Sequence, residues 1–135
     1  MKRRIGIVAV VVGLLAATAV PVWGQRPALA MLDGLQKGRW ELRSRGDSGG
    51  LKSICLRDGR EMIQLRHQSA ACQSLVIEDT PTQVTVQYTC PGKGYGRTRI
   101  RRETGQLVQV DTQGIVDGSP FAFAAEARWV GQCGR

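Results

Sequence analysis

The sequence predicts a mainly β fold, an antiparallel meander of about seven strands curling into a barrel or half-barrel, with one short helix between strands 2 and 3. Three observations carry this. Apolar and polar residues alternate with period two along most of the chain after residue 36, the pattern of strands with one buried face. Clusters of Gly, Pro, Asp, Ser and Thr punctuate these runs at short intervals. The single stretch that breaks the period, Asp58 to His67, has the spacing of a capped helix.

The first strand is Gln36 to Arg45, with Trp40, Leu42 and Ser44 on one face and Glu41, Arg43 and Arg45 on the other. Gly46 to Gly50 makes a hairpin tip, and Lys52 to Arg57 returns with Ile54 and Leu56 on the Trp40 side. Asp58-Gly-Arg-Glu61 has capping-box spacing, so a helix is expected over 59–67, burying Met62 and Leu65 and ending at a partly exposed His67. Gln73 to Glu78 is the third strand, with Leu75 and Ile77 inward, and Thr80-Pro81-Thr82 turns it.

Gln83 to Thr89 puts Val84, Val86 and Tyr88 inward. A three-residue Pro91-Gly92-Lys93 loop then sets Tyr88 opposite Gly96, Val86 opposite Thr98 and Val84 opposite Ile100. A second three-residue loop, Glu103-Thr104-Gly105, sets Ile100 opposite Val108 and Thr98 opposite Val110. A two-residue loop there would place arginines opposite valines on the buried face. Finally Asp117 to Pro120 joins two strands so that Val116 meets Phe121, Gly114 meets Phe123, Val110 meets Ala127 and Val108 meets Trp129. All inward faces agree, which argues for one continuous sheet, and a twisted sheet of this size tends to curl on itself.

Residues 1–30 read as a Sec-type signal peptide, with a basic start at Lys2-Arg3-Arg4 and an apolar run from Ile5 to Val20. Cleavage is expected after Gly24 or after Ala30, and Ala28-Leu29-Ala30 is the closer match to A-x-A. Residues 31–135 then form a single disulfide-bonded β domain. The apolar run falls short of the roughly 20 residues of a membrane span, so membrane contact is expected only through an uncleaved signal segment. No cysteine near the cleavage sites offers a lipid anchor.

The whole chain carries a formal charge of +8. Four of its 19 basic residues (Lys2, Arg3, Arg4 and Arg26) precede Met31, which leaves 15 against 11 acidic residues, a net +4. That is too mild and too dispersed for a nucleic-acid domain but permits attraction to anionic envelope polymers.

Export to an oxidising compartment, the periplasm, makes Cys55, Cys72, Cys90 and Cys133 disulfides rather than metal ligands. Side-chain parity favours Cys55 with Cys72 and Cys90 with Cys133. That is the preferred pairing, but in a simple meander Cys133 ends far from Cys90, so either the tail folds back or the pairs are Cys72 with Cys90 and Cys55 with Cys133.

Gly38-Arg-Trp40-Glu41, Cys55 before the helix, Cys72 before a strand, Tyr88-Thr-Cys90 before a glycine-rich turn and the closing Gly131-Gln-Cys133 resemble, in that order, a family of small secreted proteobacterial proteins catalogued only as a domain of unknown function. The resemblance runs from about Leu35 to Cys133. It implies a periplasmic, disulfide-bonded β-rich domain and brings no catalytic residues.

No catalytic residue, metal ligand or cofactor is expected. His67 is the only histidine and has no obvious nucleophilic or imidazole partner, and Asp58 and Glu61 are explained by capping. Gly92-Lys-Gly94-Tyr-Gly96 joins two strands, so it lacks the helix N-terminus that a phosphate loop uses. Two surfaces remain. Lys93, Tyr95, Arg97, Arg99 and Arg101 share the outer face of one strand, an anion-binding face unless its charge is neutralised; the expected register sets Arg97 opposite Asp111 and Asp111 opposite Glu126, which makes a solvated outer face the stronger reading. Trp40, Tyr88, Phe121, Phe123 and Trp129 line the apolar concave face, where core packing competes with enclosure of an apolar ligand.

The expected function is a non-enzymatic, monomeric binding or envelope-associated module that takes an envelope polymer or a small apolar ligand and no nucleic acid. A protein-interaction or inhibitor module is the alternative, since Tyr88-Thr-Cys90 before a glycine turn resembles periplasmic lysozyme inhibitors, although a basic target suits a +4 protein poorly.

Overall fold

The computed structural model describes residues 28–46, 50–68 and 70–134. Most of the expected signal segment and the Asp47 to Gly49 hairpin tip lie outside the described residues. Seven strands form one antiparallel sheet: β1 Gly38–Ser44, β2 Leu51–Leu56, β3 Gln73–Asp79, β4 Gln83–Cys90, β5 Gly94–Thr104, β6 Leu107–Val116 and β7 Ser119–Gly131. Their order is β2-β1-β7-β6-β5-β4-β3. From β3 to β7 this is the expected meander. The β1–β2 hairpin, however, joins the last strand: Trp40 sits opposite Trp129 and Leu42 opposite Ala127. The sheet stays open between β2 and β3, so the fold is a half-barrel.

This order explains the segment between Arg57 and Cys72. It must carry the chain from one edge of the sheet to the other, and it does so across the concave face, burying Met62, Ile63 and Leu65. The expected helix over 59–67 is shorter than its pattern: a 3-10 turn covers Gly59–Met62, and irregular turns continue to His67. Asp58 Oδ1 accepts the Arg60 N–H at 2.9 Å as a cap should. Glu61 pairs with Arg57 at 3.4 Å.

The same crossing corrects the reading of His67, which is buried at 3 % exposure rather than partly exposed. Its Nε2 donates to the Ile115 carbonyl at 3.0 Å, because a carbonyl can only accept. Nδ1 lies 3.0 Å from the Tyr88 hydroxyl.

A short helix not anticipated from the pattern, α1 Ala30–Asp33, lies beside this crossing. Leu29, Met31, Leu32 and Leu35 join Trp40, Leu42, Leu56, Val84, Val86, Tyr88, Ile100, Val108, Val110, Ala125 and Ala127 in one core. Arg60 clamps α1 by donating to Asp33 Oδ1 and to the Ala28 carbonyl, both at 2.6 Å. That bond holds the Asp33 carboxyl below its ordinary range.

Strand faces and strand register divide the sequence expectations into two groups. The β4–β5 register is as expected: Tyr88 opposite Gly96, Val86 opposite Thr98, Val84 opposite Ile100. A Cβ at Gly96 would collide with the Tyr88 ring, so the ring lies over bare backbone. Beyond β5 the register departs by two residues. Gly105 and Gln106 make a two-residue turn, and a bulge between Arg102 and Thr104 absorbs the odd residue, so Ile100 faces Val110 and Thr98 faces Thr112. The bulge removes the arginine-against-valine conflict that the two-residue turn alone would create. Thr98 and Thr112 hydroxyls bond at 2.8 Å in the buried layer, and Thr98 also donates to the Ile63 carbonyl, pinning the register to the crossing segment.

Asp117 and Gly118, both with positive φ (48° and 79°), form a two-residue turn of the kind that matches strand twist. Val116 therefore meets Ser119, Gly114 meets Phe121, Thr112 meets Phe123, Val110 meets Ala125 and Val108 meets Ala127. Each differs by two residues from the expected four-residue loop. Because side chains alternate with period two, every one keeps its predicted face.

In β3 the faces are the reverse of those expected. Leu75 and Ile77 are 62 % and 47 % exposed, while Ser74 and Val76 lie opposite Tyr88 and Val86. A bulge at Ile77 then returns Glu78 to the outer face opposite Thr85. An edge strand buries little, so its apolar pattern is a weak guide to its face.

This overturns the parity-based cysteine pairing. Cys72 continues the β3 ladder one residue beyond the Gln73–Thr89 pair, directly opposite Cys90, and the two are bonded with Cα atoms 4.1 Å apart. The other bond is Cys55–Cys133, with Cα atoms 5.6 Å apart. Cys55 pairs with Arg39 on β1, Arg39 pairs on its other side with Gly131, and the tail past Gly131 folds back over β1. Two disulfides place the protein in an oxidising, exported compartment.

Candidate outer-face groove

The observed register turns the outer face of the sheet into ordered rows of cross-strand neighbours. One row runs Ala124, Asp111, Arg99, Thr85, Glu78 across β7 to β3. Arg45, whose N–H bonds the Ala124 carbonyl, extends it beyond β1. Charges alternate along it, with Asp111 accepting from Arg45 at 3.0 Å and lying 3.5 Å from Arg99. Glu78 is occupied by Gln83 Nε2 and the Thr85 hydroxyl.

The next row is Ala122, Gln113, Arg97, Gln87. It contains one charge and no acid. The expected Arg97–Asp111 pairing does not occur, since Arg99 takes that position, and among the described residues Arg97 has no ion pair. Arg97 is flanked on both sides by primary amides. One residue pair along, Tyr95 stands 51 % exposed beside Ile115.

Ala122 and Ala124 give β7 little outer-face bulk, and a depression opens there. A groove of about 650 Å³ is bordered by Arg45, Arg97, Arg99, Asp111, Gln113 and Ala124, among others. A second depression of about 430 Å³ is bordered by Gln87, Tyr95 and Phe121. Arg97, Gln113 and Ala122 border both, so the two are contiguous at Arg97.

Of the five residues expected on the basic face, Tyr95, Arg97, Arg99 and Arg101 do alternate along β5, whereas Lys93 belongs to the turn before it. Arg101 is taken up by Glu103 at 3.2 Å. The expected Asp111–Glu126 neighbourhood is also replaced: Glu126 lies opposite Gln109, and its carboxyl is held below the ordinary range chiefly by Arg128, with Gln109 adding to it. Arg45, Gln87 and Gln113 were not singled out by sequence. Their outward parity was legible, and so was the place of Gln87 opposite Arg97 in the expected β4–β5 register, but the places of Arg45 and Gln113 depend on registers that the structure decided.

The five residues of the expected concave face are spent on packing. Trp40 and Tyr88 are fully buried, and Trp40 Nε1 donates to the Gln36 carbonyl at 2.8 Å. Phe121 packs beside His67 with Arg66 over its ring, Phe123 packs against the core, and Trp129 donates to the Lys37 carbonyl at 3.0 Å. Burial pushes the Tyr88 hydroxyl above its ordinary pKa, with a bond to Thr112 and the charge of Arg66 opposing. Among the described residues no cluster of His, Cys, Asp or Glu could hold a metal ion, and no helix is long and apolar enough to cross a membrane.

No family model, curated protein or solved structure matches this chain.

Proposed function

We propose that the protein is a non-enzymatic periplasmic binding module whose ligand is an anionic, carboxylate-bearing envelope polymer lying along the outer face of β5. The observation that carries this reading is Arg97, a guanidinium with no ion pair among the described residues, at the junction of two contiguous depressions and between the amides of Gln87 and Gln113. A planar guanidinium suits bidentate bonding to a carboxylate. The amides supply donors and acceptors for neighbouring hydroxyls, and the exposed Tyr95 ring supplies a stacking plane. The alternating row beside it, Arg45, Asp111, Arg99 and Glu78, sets two cations against two carboxylates and adds walls more than charge.

The apolar-ligand alternative receives less support, because the aromatic residues it needs are the packed interior. The inhibitor alternative has no surface of its own beyond the Tyr88-Thr-Cys90 pattern, and in the fold Tyr88 and Cys90 are buried. The two disulfides support residence in an oxidising, exported compartment and are silent on ligand.

Titration calorimetry with polygalacturonate as the probe tests the proposal. Binding should weaken as salt rises, and Arg97→Ala should lower affinity roughly ten- to a hundredfold, the range for losing a charge-assisted bond. Tyr95→Ala should lower it severalfold. Equal binding of polyphosphate and polygalacturonate, with Tyr95→Ala without effect, would reduce the groove to a nonspecific cation patch; no binding of either polymer would sink the reading.

A further inference from the structure

We propose that processing of the exported chain falls after Gly24 rather than after Ala30, and that the segment from Ala28 to Leu35 is a plug belonging to the mature domain. The proposal rests on the export reading, and its test separates the two.

The sequence motif favours Ala28-Leu29-Ala30, but the fold buries the central residue of that pattern. Ala28 and Ala30 are exposed and Leu29 between them is buried at 8 % exposure. Met31, Leu32 and Leu35 follow it into the open side of the half-barrel. Leu32 sits so close to the 3-10 turn that a Cβ on Gly59 would overlap its carbonyl.

Polar contacts hold this segment and the residue after it to edge strand β3, to the crossing segment and to the β5–β6 turn. Leu29 N–H donates to Asp79 Oδ2 at 3.2 Å, tying it to the end of edge strand β3. Arg60 donates to the Ala28 carbonyl, and Gln36 N–H to the Gly105 carbonyl at 2.8 Å. Leu29 also adopts φ 52°, a left-handed conformation that a leucine keeps only where its surroundings hold it.

A cut after Ala30 would remove the Leu29 side chain and two of these bonds. A cut after Gly24 leaves the plug whole and still offers the peptidase a small residue at the scissile position, directly after the apolar run and Pro21.

The test is the intact mass and first residue of the full-length chain after expression and recovery from a bacterial periplasm. Gln25 as the first residue, in open or cyclised form, is expected. Met31 as the first residue overturns the proposal while leaving export intact; an unprocessed precursor overturns both. Two substitutions sharpen it, since Ala30→Leu should be processed at the same bond and Gly24→Leu should not. Separately, a chain beginning at Met31 should melt several degrees below one beginning at Gln25, and equal midpoints would show that the segment is no plug.

Discussion

On the inner side of β5, Thr98 and Ile100 are buried against β4, β6 and the crossing segment, and Gly96 is roofed by the Tyr88 ring; on the outer side Tyr95, Arg97, Arg99 and Arg101 stand in solvent. The two faces share one backbone and one register yet answer to it differently. On the inner face a two-residue shift exchanges one β-branched or small residue for another, Val108 for Val110 opposite Ile100, at little cost. On the outer face the same shift exchanges Asp111 for Gln113 opposite Arg97 and converts a neutralised cation into a free one. Packing tolerates register error that electrostatics does not, because apolar contact is non-directional and an ion pair is a contact between two particular residues.

The largest effect that would break this contrast comes from the inner face. Trp40→Ala should destabilise the protein by about 3–5 kcal/mol, the range for emptying a buried aromatic site, as read by urea unfolding. A loss below about 1 kcal/mol would mean that the core is not organised around it. Removing the Cys72–Cys90 bond by the double change to serine opens a loop with a sequence separation of 18 and should cost about 3 kcal/mol. Mass mapping of the unreduced protein should show that same pair and Cys55–Cys133.

A smaller inner-face effect is expected from Tyr88→Phe, which leaves His67 Nδ1 without its partner in a buried site and should cost about 1–3 kcal/mol. The raised pKa of Tyr88 also sets an alkaline limit. Its folded value lies above its unfolded one, so its contribution is complete below the ordinary tyrosine range and is lost as pH rises through the folded value. Stability should therefore fall as pH climbs beyond about 10, and more steeply in the wild type than in Tyr88→Phe. The smallest effect belongs to the outer face: Arg97→Ala should leave the unfolding midpoint within about 0.5 kcal/mol of wild type while weakening polymer binding. A stability loss comparable to Tyr88→Phe would mean that Arg97 is structural.

Much of the architecture was legible along the chain. Seven strands, the inward residues of β1, β2 and β4 to β7, the whole β4–β5 register and the cap at Asp58 follow from local patterns. Period-two alternation is imposed by the pleat of each strand separately, and capping by the first turn alone, so both leave their mark in a few consecutive residues. Four matters were decided only when strands met. The bulge between Arg102 and Thr104 and the tight Asp117-Gly118 turn chose the registers; edge position chose the face of β3, and with it the Cys72–Cys90 bond; docking of β1 on β7 brought Cys55 to Cys133; and the resulting route of residues 57–72 over the open side buried His67. Alternation is unchanged by a shift of two residues, so no local pattern distinguishes one such register from the next. The sequence by itself determined which face Arg97 would occupy. Only the tertiary structure decided that its neighbour on β6, across from the expected Gln87, would be Gln113 instead of Asp111, because that choice falls to the bulge and turn at residues 102–106, which alternation along the strands does not reveal.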